Sequence, residues 1–260
     1  MTADHPTEIA PPLFIIGSMR SGTTLVRNLL RRQPGTICPE ETHYYRFGDP
    51  FRTPGYRNTI LKNGTLKRHR EIDGIAEADF IRLLDTSYTK GELLRAHVDY
   101  MAKAMGLNSY RWFDKTPQNV YGLPLIRAEF PNARFLHLVR NPLNVVASLK
   151  LGKVVKIEET DAACNSWLEA VSIIRQCAPM LGENLLELRY EDVTTDPVGS
   201  MKTLLAFSGL GDDMSLYSAE DTHLERNQFR ELLTEQDQMI VQDRCNDLAC
   251  HYGYLSHPGR

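Results

Sequence analysis

The sequence predicts an α/β fold, a three-layer sandwich with helices on both faces of a central parallel sheet. Three observations predict it. Apolar runs rich in β-formers at residues 13–16, 111–117, 133–139 and 185–190 alternate with stretches of helical periodicity, and such alternation folds as parallel βαβ units. Leu13 to Ile16 breaks into a loop bracketed by Gly17 and Gly22, after which Leu25, Leu29 and Leu30 recur at helical spacing. Ala133 to Val139 is the clearest buried strand, and Pro142 follows where a helix tolerates proline best, in its first turn.

In chain order, residues 1–12, polar and ending in Pro11-Pro12, read as a loose arm. The first strand and helix follow. Pro34-Gly35 then ends that helix, and Thr36 to Cys38 reads as a short strand with Glu40 and Glu41 at its end. Residues 43–57 read as an irregular loop, and 76–105 as helices with Ile81, Leu84, Leu93, Leu94, Val98 and Met101 inward. The stretch 43–110 is long for a connection and is read as an acceptor-binding insertion, a helical lid on the sheet. A strand from Arg111 runs into a loop at Lys115-Thr116-Pro117, then a helix over 119–129. A long helix over 160–181 turns Trp167, Val171 and Ile174 inward, and Leu185 to Tyr190 is the last core strand. Asp196-Pro197 opens a helix carrying Met201, Leu204, Leu205 and Phe207, and a final helix spans 230–252.

At 260 residues and 42% hydrophobic, the chain suits a single domain over 1–260. A net charge of −3 argues against a dedicated nucleic-acid partner. No apolar run reaches the ~20 residues a bilayer requires, and the polar start is unlike a signal peptide, so no membrane partner is expected. The five cysteines, Cys38, Cys164, Cys177, Cys245 and Cys250, show no Cys-x-x-Cys pair and read as structural thiols of a cytoplasmic protein. The oligomeric state is open.

The loop after Leu13–Ile16 has the glycine spacing of the triphosphate-binding P-loop, G-x-x-x-x-G-K-[ST], with Thr23 where the lysine belongs. Without that lysine, the charge of a β,γ-diphosphate goes largely unneutralised. Arg20 supplies a planar fork inside the loop instead, suited to a tetrahedral oxyanion. A sulfuryl group carries less charge than a phosphoryl group, so an arginine or lysine with backbone donors suffices for it without a metal.

Arg20-Ser-Gly-Thr-Thr-Leu25 resembles the 5′-phosphosulfate loop of sulfotransferases that use 3′-phosphoadenosine 5′-phosphosulfate (PAPS). Phe135 to Ser148 resembles their 3′-phosphate segment, with Arg140 and Ser148 at the family spacing. Glu40-Glu41-Thr42 is similar to the Glu-Glu-Thr of the tyrosylprotein branch, the nearest in motif, and the chain is also similar to bacterial sulfotransferases. The resemblance implies the P-loop-like sulfotransferase fold and PAPS as donor, with adenosine 3′,5′-bisphosphate as product. It also implies transfer to a hydroxyl or amine acceptor. Cys38 falls where that branch has a paired cysteine, but the partner region, Arg111-Trp112-Phe113, holds none. His43 stands where that pattern has arginine, which favours a small-molecule acceptor over a peptide.

The implied donor site comprises Arg20, Ser21, Gly22, Thr23 and Thr24 around the 5′ end, Arg140 and Ser148 on the 3′-phosphate, and Tyr190 beside the nucleotide. Glu41, preferred to Glu40, is the implied base, a role worth ~10² to 10⁴ in rate. His43 is the rival base and, with Glu41, an acceptor contact. Lys115 is the implied cation on the leaving phosphate oxygen. Trp167 and His137 read as packed residues. Arg226 and Arg230 correspond to a segment closing over the 3′-phosphate, although Thr222 and His223 replace its expected serine and lysine. A P-loop kinase and a non-catalytic nucleotide-binding module are the alternatives.

Overall fold

The computed structural model describes residues 6–152 and 155–255. Its sheet contains β1 (Thr7–Glu8), β2 (Leu13–Ile16), β3 (Thr36–Ile37), β4 (Ser109–Lys115), β5 (Arg134–Val139) and β6 (Leu185–Arg189). Every pairing is parallel: β4 takes β1, β3 and β2 along its length, β2 pairs with β5, and β5 with β6. The helices are α1 (Thr23–Leu30), α2 (Pro54–Lys62), α3 (Gly64–Ile72), α4 (Glu77–Thr86), α5 (Lys90–Ala104), α6 (Leu123–Glu129) and α7 (Pro142–Lys150). After these come α8 (Thr160–Leu181), α9 (Tyr190–Thr195), α10 (Pro197–Ser208), α11 (Phe229–Leu232) and α12 (Glu235–His251).

Side chains alternate across a strand, and β2, buried throughout, shows what each face meets. Leu13 and Ile15 pack with Val26, Leu29 and Leu30 of α1 and with Met201, Leu204 and Leu205 of α10. Phe14 and Ile16 face the other layer, against Trp112, Phe130, Phe135 and the helices of the 54–104 stretch. Phe14 lies 5.4–5.8 Å from the rings of Trp112, Phe130 and Phe135, which anchors that layer on the sheet. A third cluster joins α7, α8 and α12 around Trp167 and Val171. These layers form the expected α/β sandwich.

Differences from expectation have local causes. Within the stretch read as a loose arm, Thr7 and Glu8 form β1, held by Thr7 N–H on Asn108 O (2.9 Å) and Ile9 N–H on Tyr110 O (3.0 Å); residues 1–5 lie outside the described residues. The loop expected over 43–57 ends at Thr53, whose side chain caps α2 ahead of Pro54 in its first turn. On α4 the buried residues are Phe80 and Leu84, with Ile81 only half-buried. The helix expected over 119–129 divides into a tight turn, Pro117–Gly122, and α6, because Gly122 and Pro124 restart it. β6 is half-buried at the sheet edge, and Tyr190 opens α9 instead of ending the strand.

Candidate active site

Because all strands run parallel, the loops after β2, β3, β4, β5 and β6 emerge at one carboxyl edge, where open α/β sheets bind ligands. The loop after β2 is shaped by close approach. A Cβ on Gly17 (φ +152°) would lie 2.6 Å from Leu138 O, and one on Gly22 (φ +94°) would lie 2.2 Å from the Tyr190 ring. Arg20, between them, adopts φ 67°, a left-handed conformation that L-residues rarely hold. Ser21 is buried, and its hydroxyl donates to Ser18 O at 2.8 Å. That side chain closes the loop. Gly22 leads into α1, which has no side-chain cap and no acid in its first turn. Its first amides, those of buried Thr23 and exposed Thr24, therefore have no intrahelical acceptors and suit an anion.

The second motif meets this loop. Arg20 Nε donates to Ser148 Oγ at 2.9 Å, and Arg140 Nη1 donates to Arg20 O at 3.1 Å. The Arg140 guanidinium lies over Tyr190, 4.4 Å from the ring centroid, so Tyr190 sits between Gly22 and Arg140. Trp167, buried as expected, donates Nε1–H to Arg140 O at 3.0 Å and fixes the end of β5. His137 is fully buried, with Nδ1 2.8 Å from Glu187.

Glu40 and Glu41 diverge. Glu40 bonds Arg27 at 2.8 Å and Arg31 at 3.1 Å, which commits it to α1. Glu41 instead faces Lys115, whose Nζ donates to Oε1, and His43, whose Nε2 lies 3.3 Å from Oε2. Burial pushes the Glu41 carboxyl up, but the hydrogen bond from His43 and the charge and hydrogen bond of Lys115 outweigh it and bring it down to about 2. Lys115 is 3% exposed and Glu41 29%, so the cation is sheltered and the carboxylate reaches solvent. His43 adopts φ 54°, and its Nδ1 is buried without a partner.

Buried groups that the sequence did not single out hold this turn. Asp73 accepts the Glu40 N–H at 2.9 and 3.1 Å and faces His97 Nε2 at 3.0 Å, and Tyr44 donates its hydroxyl to His97 Nδ1 at 2.7 Å. His69 Nδ1 donates to Glu41 O at 2.8 Å. Asp114, fully buried, accepts from Thr42 Oγ1 and Asn119 Nδ2, each at 2.8 Å, and burial raises its carboxyl. These partners lie up to 72 residues apart in the chain, and no local pattern marks them.

Glu225 is the other unforeseen member. It receives Arg140 Nε at 2.6 Å, whereas Arg226 and Arg230 are exposed. All five cysteines are free thiols, and burial pushes Cys38 up to about 12. Among the described residues no cluster of three or more His, Cys, Asp or Glu is arranged to hold a metal, and no helix is long and apolar enough to cross a membrane.

The chain is similar to several known proteins. It is 27% identical over 206 residues to protein-tyrosine sulfotransferase 2 of Gallus gallus, covering 77% of this chain and 51% of that one. It is 24% identical over 161 residues to omega-hydroxy-beta-dihydromenaquinone-9 sulfotransferase Stf3 of Mycobacterium bovis, covering 55% and 41%. The chain thus spans about half the length of these curated relatives or less. Among solved structures, the sulfotransferase domain of the Synechococcus PCC 7002 olefin synthase superposes with a TM-score of 0.66 at 21% identity, covering 94% of this chain and 96% of that one. Mouse sulfotransferase SULT7A1 complexed with PAP gives 0.54 at 15% identity, covering 97% and 92%. At such identities the structures show the fold alone. The family model described as "Sulfotransferase family" matches residues 11–213, a span that contains the loop, the Glu41–Lys115 pair, Arg140, Ser148 and Tyr190, and so the chain belongs to the sulfotransferase family.

Proposed function

We propose that this chain transfers a sulfuryl group from PAPS to the hydroxyl or amine of a small-molecule acceptor in one in-line step. One observation carries the reading: the two anion-binding segments, 120 residues apart, form one cradle through Arg140 Nη1 on Arg20 O. The α1 amides and Arg20 hold the 5′-phosphosulfate, and Arg140 with Ser148 holds the 3′-phosphate. A bond forms between sulfur and the acceptor oxygen or nitrogen while the bridging S–O bond breaks. Glu41 takes the acceptor proton, and Lys115 steadies the charge left on the phosphate oxygen.

The stretch 43–110 begins beside Glu41 with His43 and is the proposed acceptor-binding insertion. Free, mostly buried thiols suit a reducing, cytoplasmic setting. A peptidyl tyrosine is the alternative acceptor. His43 is the rival base, because its ring stands beside Glu41 with Nε2 3.3 Å from Oε2.

The test is an acceptor screen with radiolabelled PAPS, without added magnesium, using the intact chain and Glu41→Ala. Labelled acceptor formed by the former and lost in the latter supports the assignment. Magnesium-dependent ATP turnover with no sulfuryl transfer would replace it with a kinase, and nucleotide binding without either would make the chain a binding module.

A further inference from the structure

The guanidinium of Arg140 is already engaged by a carboxylate. Nη1 bonds Arg20 O, the plane covers Tyr190, and the remaining edge points at one oxygen, Glu225 Oε2, 2.6 Å from Nε and 2.5 Å from Nη2. The Arg140 side chain is 17% exposed and that of Glu225 10%, so the pair is largely withdrawn from water. Glu225 belongs to no helix or strand. Its segment is pinned on both sides: Thr222 Oγ1 donates to Thr194 O at 2.9 Å, and Asn144 Nδ2 donates to Asn227 Oδ1 at 3.1 Å. Leu224 and Arg226, its neighbours, are exposed, Leu224 at 68%. A single carboxylate is therefore inserted from an otherwise outward-facing stretch.

Carboxylates and phosphates take a guanidinium edge in the same way. Both cannot hold Nε and Nη2 of Arg140 at once, and a carboxylate left beside a 3′-phosphate repels it. We propose that Glu225 is a specificity-determining residue of the donor site, competing with the 3′-phosphate for Arg140. The nucleotide enters as the Glu225 side chain swings away from Arg140 between these two pins, and the carboxylate's return to Arg140 helps expel the bisphosphate product. Apparent affinity is scaled by the fraction of molecules with Arg140 released, so Glu225 trades nucleotide affinity for release, a step that limits many enzymes. The inference rests on the reading of Arg140 as the 3′-phosphate ligand.

The experiment is calorimetric titration of the full chain, Glu225→Gln, Glu225→Ser and Arg140→Ala with adenosine 3′,5′-bisphosphate and with adenosine 5′-monophosphate. Glu225→Gln and Glu225→Ser are expected to tighten the bisphosphate about tenfold and leave the monophosphate within about twofold. In an Arg140→Ala background, Glu225→Gln should produce no such gain. Bisphosphate affinity that is unchanged or weaker in both folded Glu225 variants, or an equal gain for both nucleotides, overturns the competition while leaving the donor site intact. Folded Glu225 variants that bind the two nucleotides equally, or a parent chain that binds neither, overturn the reading of Arg140 and this inference with it.

Discussion

Lys115 Nζ donates to Glu41 Oε1 across the carboxyl ends of two strands, β4 and β3, and thereby joins the proposed leaving-group cation to the proposed base. The pair divides the two roles by burial. Lys115, at 3% exposure, is a fixed charge, while Glu41, at 29%, keeps access to an incoming hydroxyl.

Glu41→Gln keeps the shape of this contact and removes the negative charge. Turnover with PAPS is expected to fall by ~10² to 10⁴, with adenosine 3′,5′-bisphosphate affinity little changed because the nucleotide contacts lie on other loops. The pH profile separates the two candidate bases. With Glu41 held down to about 2, it is ionised throughout the neutral range, so a Glu41-based kcat/KM is flat through the imidazole range of about pH 6–7. A limb in that range, abolished by His43→Gln, assigns the proton to His43.

The same carboxylate carries an acid-stability signature. Its value falls from 4.5 to about 2 on folding, so its contribution is complete above the unfolded value and is lost as pH drops through the folded one. Glu41→Gln should therefore melt below the parent protein at pH 7, and the gap should close between about pH 5 and pH 2. Thermal melts at intervals across that window decide it. A gap that stays constant would mean the pair stabilises by shape and not by charge.

Gly22→Ala meets two obstacles, a φ of +94° and a Tyr190 ring 2.2 Å from the new Cβ. The left-handed backbone alone costs about 1–3 kcal/mol in a non-glycine residue, and the contact adds to it. The expected result is a lowered melting temperature and weakened nucleotide binding, with Tyr190→Ala in the same chain restoring part of the stability. The restoration is partial because the ring is removed but the backbone strain remains. Full recovery would show the ring contact to be the whole cost.

Local patterns made much of this legible. The apolar run, the two glycines and the helical leucines marked β2, its loop and α1, since each depends on neighbours within a few residues. Pro142 and the 160–181 periodicity marked α7 and α8 for the same reason. Resemblance contributed Glu41, Lys115 and Arg140, and the parallel register brings their loops to one edge. What escaped depends on distant partners. β1 exists because β4 offers it an edge, and Thr7 and Glu8 show nothing that announces a strand. Glu225 resembles any surface glutamate until Arg140, 85 residues earlier, is placed beside it. Asp73 and His97 are polar residues on an expected lid, and only the folded chain shows them buried.

Asp73 extends the base's support to the helices beneath it. It is 3% exposed on its side chain, accepts the Glu40 N–H with both oxygens and pairs with His97 Nε2. Removing the acceptor strands a backbone amide and an imidazole N–H in a buried place, and a buried donor left without a partner costs about 1–3 kcal/mol. Asp73→Ala is expected to lose stability on that scale; Asp73→Asn, which keeps one acceptor oxygen, should lose less. Their kinetics tell a positioning role from a structural one. The Glu40-Glu41 turn hangs from Asp73, whereas the loop at 17–22 and Arg140 do not, so Asp73→Asn should lower kcat while leaving the dissociation constant of adenosine 3′,5′-bisphosphate within about twofold. Equal losses in both would make Asp73 a general support of the fold. A loss confined to kcat would show that the carboxylate under Glu40 sets where Glu41 meets the acceptor.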